Sequence, residues 1–245
     1  HHHHHHHRRN IHFPRSASVS TTTSSSGDDD FDDDSQSKKK KKKKKNIAVF
    51  ISGGGSNMKA IHAACESGQI NGRISVVITS SSTAGGVEWA MGRDVPVLLY
   101  PGAKDVPESE RISPAELDEY LKNDYKIDVV VLAGYLRLIP PELCRTFENI
   151  MVNIHPALLP AFGGKGMQGA KVHEAVVKSG ARFTGPTVHF VNENFDEGKI
   201  VAQRSIRIDP SWTADEVQRR VLKEEHDVFP EVVAALCDDL SLIHI

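Results

Sequence analysis

The sequence predicts an α/β fold: an open, mostly parallel, Rossmann-like sheet with helices on both faces. The first observation behind this class is a set of short apolar runs, such as Ile-Ala-Val-Phe-Ile at 47–51, typical of parallel strands buried on both faces. The second is that helical segments separate these runs, which favours right-handed crossovers between parallel strands. The third is a glycine-rich loop at 52–57, directly after the first run and before a helix.

Residues 1–45 differ in composition from the rest of the chain. They contain a histidine run at 1–7, a Ser/Thr tract, an aspartate block and eight consecutive lysines at 38–45. Such a segment has too little apolar area to offset its ordering entropy. We therefore expect a disordered, low-complexity leader, then one catalytic domain at 46–240, and a tail at 241–245 that has no evident role and is expected to be non-native.

Within the leader, residues 8–26 have two interpretations. The histidine run resembles a purification tag, and residues 8–26 are rich in Arg, Ser and Thr without one acidic residue, which is typical of an organelle transit peptide. A nonspecific flexible leader is the alternative. With a transit peptide, the protein is expected in an organelle stroma or matrix, a chloroplast rather than a mitochondrion; without one, it is expected in the cytoplasm.

Charge and cysteine content argue against several classes of protein. Without the eleven basic and six acidic residues that precede Asn46, 19 basic and 26 acidic residues remain, a net charge of about −7. Enzymes of large nucleic acids usually carry a basic face, so we expect no nucleic-acid partner. The three cysteines lack metal-binding spacing, which predicts a reduced interior and no metal. No apolar run reaches membrane-spanning length, so we expect no membrane partner.

The elements follow the same alternation along the chain. Strands are predicted at 47–51, 74–79, 95–99 and 128–133, in the run that ends at His155, and at 187–191 and 200–208. Helices are predicted at 58–66, 86–92, 114–123 and 172–179, and from a Thr213 cap, with Glu216 three residues on, to about Asp238. The segment 161–170 contains four glycines, which indicates a mobile lid.

The glycine loop at 52–57 is a candidate anion site. Strand, glycine loop and helix together aim backbone N–H groups and a helix N-terminus at a phosphate. The loop lacks the Gly-Lys-Ser/Thr of a Walker sequence and the third glycine of a dinucleotide fingerprint, and Thr79 and Ser80 stand where a ribose-binding acid is expected. A monophosphate site fits better, with a plain tight turn as the alternative.

A second candidate site lies in the apolar run Met151-Val-Asn-Ile-His155, which prolines end. Side chains alternate along a strand, so Asn153 and His155 share one face and Ile154 takes the other. An amide donor beside a group that titrates near neutrality suits a developing oxyanion and its proton transfer. A polar strand end with a satisfied histidine is the alternative.

Three loops are expected to meet at one edge of the sheet. The segments 52–57, 134–137 and 153–156 all follow predicted strands, and ligands of such sheets bind at the carboxyl ends of the strands. Asp196 follows another strand and is well placed to meet His155. His173 and His189 are interpreted as structural residues, and His62 as a residue of a helix surface.

Four motifs together resemble the phosphoribosylglycinamide formyltransferase family of the folate-dependent formyltransferase superfamily. They are Gly-Gly-Gly-Ser-Asn at 53–57, Leu-Ala-Gly-Tyr-Leu-Arg at 132–137, Asn-Ile-His-Pro-Ala-Leu-Leu-Pro at 153–160, and His-Phe-Val at 189–191 with Asp196. The resemblance covers residues 46 to about 240. It implies transfer of the formyl group of the cosubstrate 10-formyltetrahydrofolate to the amine of glycinamide ribonucleotide, in purine biosynthesis. We expect a monomer or homodimer.

The resemblance also implies roles for individual residues. Asn153, His155 and Asp196 match the catalytic positions of the family. We expect Asp196 to raise the pKa of His155 and to orient its ring, so that a protonated His155 can donate to the oxyanion and supply a proton to the leaving folate nitrogen. Positions that contact the ribonucleotide are matched by Gly55, Ser56, Asn57 and Glu225. Positions that contact the folate are matched by Arg111, Leu136, Arg137, Leu138, Ile139 and Asn153.

Other functions remain open from the sequence. A formyltetrahydrofolate deformylase would normally carry an amino-terminal regulatory domain, and a methionyl-tRNA formyltransferase would need a further RNA-binding domain with a basic surface. A nucleotide-binding module without catalysis need not combine Asn153, His155 and Asp196. The low-complexity leader, the acidic domain and the presence of all three residues favour the ribonucleotide formyltransferase.

Overall fold

The computed structural model describes residues 43–102 and 107–239, and also the backbone of a two-residue strand, β1 (Ile11–His12). The rest of the predicted leader and the predicted tail at 241–245 lie outside the described residues. The domain's first parallel strand begins at Lys45, one residue before the predicted boundary. No helix in the described part of the chain is long and apolar enough to cross a membrane.

The described strands and helices alternate through the first part of the domain. The remaining strands are β2 (Lys45–Ile51), β3 (Gly72–Thr79), β4 (Val97–Leu99), β5 (Val129–Leu132), β6 (Met151–His155), β7 (Phe183–Thr184), β8 (Thr187–Phe190), β9 (Ile200–Gln203) and β10 (Ile206–Arg207). The helices are α1 (Ser56–Ser67), α2 (Gly85–Met91), α3 (Pro114–Glu119), α4 (Pro141–Thr146), α5 (Ala170–Ser179) and α6 (Ala214–Cys237).

The main sheet confirms the predicted fold class. Its strand order is β1-β4-β3-β2-β5-β6-β8-β9, and the five strands from β4 to β6 run parallel. β8 and β9 continue the sheet in antiparallel fashion beyond β6, while β1 pairs antiparallel with β4 at the opposite edge. From β2 the chain first builds outward through β3 and β4, and then returns to place β5 on the other side of β2. This reversal makes the gap between β2 and β5 a topological switch point.

Both faces of the sheet are buried, as the continuous apolar runs predict. Ile47, Val49 and Ile51 of β2 pack into a core that includes residues of α1 and α6. Ala48 and Phe50 point to the other face, into a core completed by α3 and α4. The alternation of a strand therefore divides β2 between two cores, and this fixes the strand at the centre of the domain.

Two predicted elements differ from the structure, and one helix was not predicted. The strand predicted at 200–208 is two strands, because the chain leaves the main sheet after Gln203 and β10 pairs with β7 in a separate two-stranded sheet. The helix predicted at 114–123 is α-helical only to Glu119 and continues as a π-helical turn, Tyr120–Asp124. α4 is not among the predicted elements, since its six residues are too few to show a helical period.

The long helix α6 begins as predicted and carries one of the candidate site residues. Thr213 accepts a hydrogen bond from the backbone N–H of Glu216, while the Glu216 carboxylate accepts one from the backbone N–H of Thr213. This capping box sets the start of the helix. α6 packs against α1, which brings Glu225 to the glycine loop that precedes α1.

Candidate active site

A cavity of about 480 Å³ lies at the carboxyl ends of the parallel strands. The loop after β2, the loop after β5 and the end of β6 all contribute to its wall, as the sequence predicts for the carboxyl edge of the sheet. Of the predicted site residues, those that line the cavity are Gly55, Ser56, Asn57, Leu136, Arg137, Leu138, Ile139, Asn153, His155, Asp196 and Glu225. Arg111 is not among the residues that line the cavity; its side chain packs against Gly102 instead.

The glycine loop leads into α1 through a backbone conformation that only glycine adopts easily. Gly55 has a φ of 69°, and a Cβ atom there would lie 2.8 Å from the Cε of Met58. Gly53 and Gly54 have open space where a Cβ would be, so their backbone is accessible from the cavity. A bare backbone at the N-terminus of a twelve-residue helix has the geometry of an anion site.

Ser52 joins the glycine loop to the loop after β5. Its hydroxyl oxygen accepts a hydrogen bond from the backbone N–H of Leu136 at 3.0 Å, and lies 2.7 Å from the hydroxyl of Ser80. The backbone N–H of Ser52 also donates to the carbonyl of Gly134 at 3.0 Å. The two loops on either side of the switch point are therefore held in one arrangement.

In the segment 135–139, Tyr135 is anchored in the core, while two leucine side chains are exposed. Tyr135 stacks edge-on against Phe50 and donates its hydroxyl to the carbonyl of Tyr100 at 3.2 Å. Leu136 and Leu138 are each 48 % exposed, whereas Ile139 is buried. Exposed leucines at the rim of a cavity provide an apolar surface for a flat ligand ring.

Asn57 and Glu225 form a buried pair at the glycine-loop end of the cavity. Nδ2 of Asn57 donates to Oε2 of Glu225 at 2.7 Å, although the two residues are 168 positions apart. Burial raises the pKa of Glu225 to about 7, and the hydrogen bond from Asn57 only partly opposes that rise. The carboxyl group consequently keeps its proton to a higher pH than an ordinary glutamate.

β6 presents its polar side chains as the alternation predicts. Val152 and Ile154 pack in the core with Val188, while Asn153 and His155 face the cavity. His155 is 3 % exposed, and both ring nitrogens lie near acceptors. The carbonyl oxygen of Phe162 is 2.8 Å from Nε2, and Oδ2 of Asp196 is 3.4 Å from Nδ1. The predicted contact between His155 and Asp196 is present.

The protonation of His155 differs from the prediction. The sequence led us to expect that Asp196 holds the ring protonated, but burial lowers the pKa of His155 below its ordinary value. The charge of Asp196 and the carbonyl of Phe162 both act to raise that pKa, and they do not fully offset the burial. His155 is thus mainly neutral at neutral pH, and Asp196 limits the cost of the imidazolium when it forms.

Asp196 is held in place by several donors. Its backbone is left-handed with a φ of 56°, and its Oδ2 accepts a hydrogen bond from the backbone N–H of Gly164 at 3.0 Å. Burial raises the pKa of Asp196, but the interactions with His189, His155 and Gly164 outweigh the burial and lower it overall. Asp196 is therefore an anion that contacts both His155 and the glycine-rich segment predicted to be a lid.

Two histidines that the sequence interpretation left as structural lie in the cavity wall. Nε2 of His189 is 3.1 Å from Nδ2 of Asn153 and 3.6 Å from Oδ1 of Asp196. His173, in the first turn of α5, is buried, and its Nδ1 has no hydrogen-bond partner. The motif that joins His189 to Asp196 in the sequence could have indicated that His189 lies at the site. Its contact with Asn153 could not be predicted, because that contact depends on the pairing of β6 with β8.

The described residues contain no candidate metal-binding site. Within 43–102 and 107–239, no group of three or more His, Cys, Asp or Glu side chains could hold a metal ion. The described cysteines, Cys65, Cys144 and Cys237, are buried free thiols. Burial raises the pKa of all three, so each is a protonated thiol at neutral pH.

Sequence comparison places the described domain within a known family. The formyl transferase family matches residues 45–233, which include every predicted site residue. The chain is also 51 % identical over 193 residues to the chloroplastic phosphoribosylglycinamide formyltransferase of Arabidopsis thaliana, an alignment that covers 79 % of this chain and 65 % of that protein. Across the chloroplastic relatives that it matches, the chain spans 61–65 % of their length, which is less than two thirds.

Solved structures give the same picture of the fold. Glycinamide ribonucleotide transformylase 1 from Geobacillus kaustophilus has a TM-score of 0.71 at 36 % identity, covering 79 % of this chain and 99 % of that one. A formyltetrahydrofolate deformylase from Pseudomonas syringae has the same TM-score of 0.71 at 26 % identity, covering 83 % of this chain and 65 % of that one. The shared fold therefore includes relatives named for transfer and for hydrolysis.

The raised pKa of Glu225 makes a prediction for stability. In the unfolded chain the carboxyl has its ordinary pKa of 4.5, whereas in the folded protein its pKa is about 7. Its neutral form favours folding below pH 4.5, and this contribution is lost as the pH rises through 7. Glu225→Gln keeps an acceptor for Asn57 but cannot ionise. We expect it to stabilise the unliganded protein at pH 8 by on the order of 1–3 kcal/mol, and by much less at pH 5.

Urea unfolding at the two pH values measures this difference. Glu224→Gln, on the same helix but without the buried pair, is the matched control and should show no comparable change with pH. A Glu225→Gln variant that is no more stabilised at pH 8 than at pH 5 would show that Glu225 ionises without penalty.

Proposed function

Because the chain belongs to the formyl transferase family, we propose that it transfers the formyl group of 10-formyltetrahydrofolate to the amine of glycinamide ribonucleotide. The product is formylglycinamide ribonucleotide, an intermediate of purine biosynthesis. The observation that carries the proposal is the meeting of Asn153, His155 and Asp196 in the same cavity as an anion-binding glycine loop. The plant relatives and the Geobacillus structure carry names for the same reaction.

The two ends of the cavity suit the two substrates. The glycine loop offers backbone N–H groups to the phosphate of the ribonucleotide, and Glu225 beside it offers a carboxyl group to ribose hydroxyls. The segment 135–139 offers Leu136, Leu138 and Ile139 to the folate ring system, with Arg137 beside them. Arg111 stays a prediction for a second folate contact. The amine and the formyl carbon would meet between these ends, at Asn153 and His155.

The side chains support the transfer by positioned hydrogen bonds. The amine nitrogen attacks the formyl carbon, and negative charge develops on the formyl oxygen. An N–H of Asn153 donates to that oxygen. A proton must leave the amine nitrogen and one must reach the departing N10 of the folate. Neutral His155 can accept the proton of the amine nitrogen, and the imidazolium so formed, which Asp196 stabilises, can deliver the same proton to N10 as the bond from N10 to the formyl carbon breaks.

The glycine-rich segment lies across the catalytic histidine. The Phe162 carbonyl oxygen occupies the hydrogen-bonding position of Nε2 of His155, and Gly164 is bonded to Asp196. For Nε2 to reach a substrate atom, the Phe162 carbonyl must give way. This supports the lid prediction: the segment 161–170 contacts His155 and Asp196 through Phe162 and Gly164, and has to rearrange for His155 to reach a substrate.

An assay with three candidate acceptors identifies which one receives the formyl group. Consumption of 10-formyltetrahydrofolate is measured with glycinamide ribonucleotide, with water alone, and with initiator methionyl-tRNA. We expect rapid turnover only with the ribonucleotide, because the glycine loop and Glu225 have no role in hydrolysis and the domain carries a net charge of about −7, which disfavours a tRNA substrate. Equal consumption with water alone would identify a deformylase, and preference for the tRNA would identify a methionyl-tRNA formyltransferase.

Asn57→Ala provides a variant for the same assay. It removes the donor to buried Glu225, and we expect the KM for the ribonucleotide to rise about tenfold, the effect of losing one hydrogen bond to a buried group. The KM for the folate should hardly change. An equal rise for both substrates would mean that the loop is a structural turn.

We also propose that the protein acts in the chloroplast stroma. The chloroplastic relatives at 51 % identity and the Arg/Ser/Thr-rich, acid-free composition of residues 8–26 support this location. A fluorescent reporter fused behind residues 8–45 should enter plastids when expressed in plant cells, and one fused behind residues 27–45 should not. A reporter that stays in the cytosol with residues 8–45 would contradict the assignment.

A further inference from the structure

His189 and Asn153 are direct neighbours across the antiparallel pair β6–β8. The register places Asn153 opposite His189, and Nδ2 of Asn153 lies 3.1 Å from Nε2 of His189. His189 is 2 % exposed, so the contact is nearly free of competition from water. A hydrogen bond in such a setting holds both groups in a single orientation.

The second ring nitrogen determines which group donates. Nδ1 of His189 is 2.8 Å from the carbonyl oxygen of Phe190, and a carbonyl oxygen can only accept. Nδ1 therefore carries a hydrogen. The Nδ2 group of Asn153 can only donate, so its 3.1 Å contact requires a lone pair on Nε2. Asn153 must donate through Nδ2 to that lone pair. Oδ1 of Asp196 is 3.6 Å from the same nitrogen, and a protonated His189 ring would donate to that carboxylate and lower its pKa. The 3.1 Å contact to Asn153 is the shorter of the two and favours the ring with a lone pair on Nε2.

The fold keeps the His189 ring from turning. A Cβ atom at Gly198 would lie 3.3 Å from Nδ1 of His189 and would collide with the carbonyl of Phe190, so the chain passes close over this side of the ring. The strands β6 and β8 fix the two backbones. Rotation of the ring would break the bond to Phe190 and remove the acceptor from Asn153.

We propose that His189 is a positioning residue for the transfer reaction, acting through Asn153. By accepting one N–H of the Asn153 amide, it fixes which end of that amide is the nitrogen and leaves the second N–H for the formyl oxygen. Without His189 the amide is free to turn its own oxygen toward the developing negative charge, which would oppose the reaction. The catalytic consequence rests on the proposed function. The hydrogen-bond pattern between His189 and Asn153 is independent of it.

The hydrogen-bond pattern is tested without any substrate. Nitrogen-15 NMR of the imidazole rings at neutral pH should show His189 as a neutral ring with its proton on Nδ1. The Asn153 side-chain amide should exchange slowly with water in the wild type and much faster in His189→Phe. A protonated His189, or a proton on Nε2 instead, would overturn the proposal whatever the enzyme catalyses.

The catalytic consequence is tested by kinetics with both substrates. His189→Phe keeps a ring but removes the acceptor, and we expect kcat to fall by about 10- to 100-fold, as when a group that orients a catalytic residue is lost. Both KM values should change by less than about threefold, because the effect lies in the transition state. His189→Gln places an amide oxygen where Nε2 was, and should restore most of kcat. His62→Phe, which keeps its edge contact with Trp89 outside the cavity, is the matched control and should leave kcat unchanged.

A double variant separates positioning from a general loss of structure. In an Asn153→Ala background, His189→Phe should lower kcat by no more than about twofold further, because its target is already absent. Full additivity, or a His189→Gln variant as slow as His189→Phe with a native melting temperature, would overturn the positioning role. If the wild type shows no transfer activity while the NMR pattern is as expected, the proposed function fails and the orientation of Asn153 by His189 stands.

Discussion

The contact between Asp196 and His155 is the interaction on which the candidate site depends. Burial alone lowers the pKa of His155 and favours the neutral ring, because a charged ring removed from water is costly. The carboxylate at 3.4 Å and the Phe162 carbonyl at 2.8 Å oppose that effect without reversing it. The result is a group that is neutral at rest and can carry a proton briefly, which is the requirement for a proton relay.

The sheet topology supplies the rest of the site. At the switch point, the loops after β2 and β5 separate and leave a cavity, and Ser52 fixes the distance between them through its bonds to Leu136 and Gly134. β6 then presents Asn153 and His155 beside this cavity, and its antiparallel neighbour β8 presents His189. The glycine loop, the apolar rim and the pair of His155 with Asp196 thus meet at one cavity because of the order of the strands.

The sequence predicts the fold class and most of the cavity wall for a physical reason. Continuous apolar runs and glycine loops are local signals, and they place residues 52–57, 134–137 and 153–156 at one edge of the sheet. Features that depend on distant pairing were missed. The opposition of Asn153 and His189 needs the register of β6 with β8, and the break after Gln203 needs β10 to find β7. The bond between Asn57 and Glu225 likewise requires α6 to pack against α1.

The direction of the His155 pKa shift shows the same limit. An acid near a histidine predicts a raised pKa, but the depth of burial decides the net sign, and burial is a property of the assembled core.

The most direct test of the contact between Asp196 and His155 is an NMR titration of His155 in the unliganded wild type and in Asp196→Asn. With burial unchanged and the opposing charge removed, the pKa of His155 should fall further below its ordinary value, while that of His226, remote from Asp196, should stay where it is. A His155 pKa that is unchanged or higher in Asp196→Asn would contradict the proposed pairing.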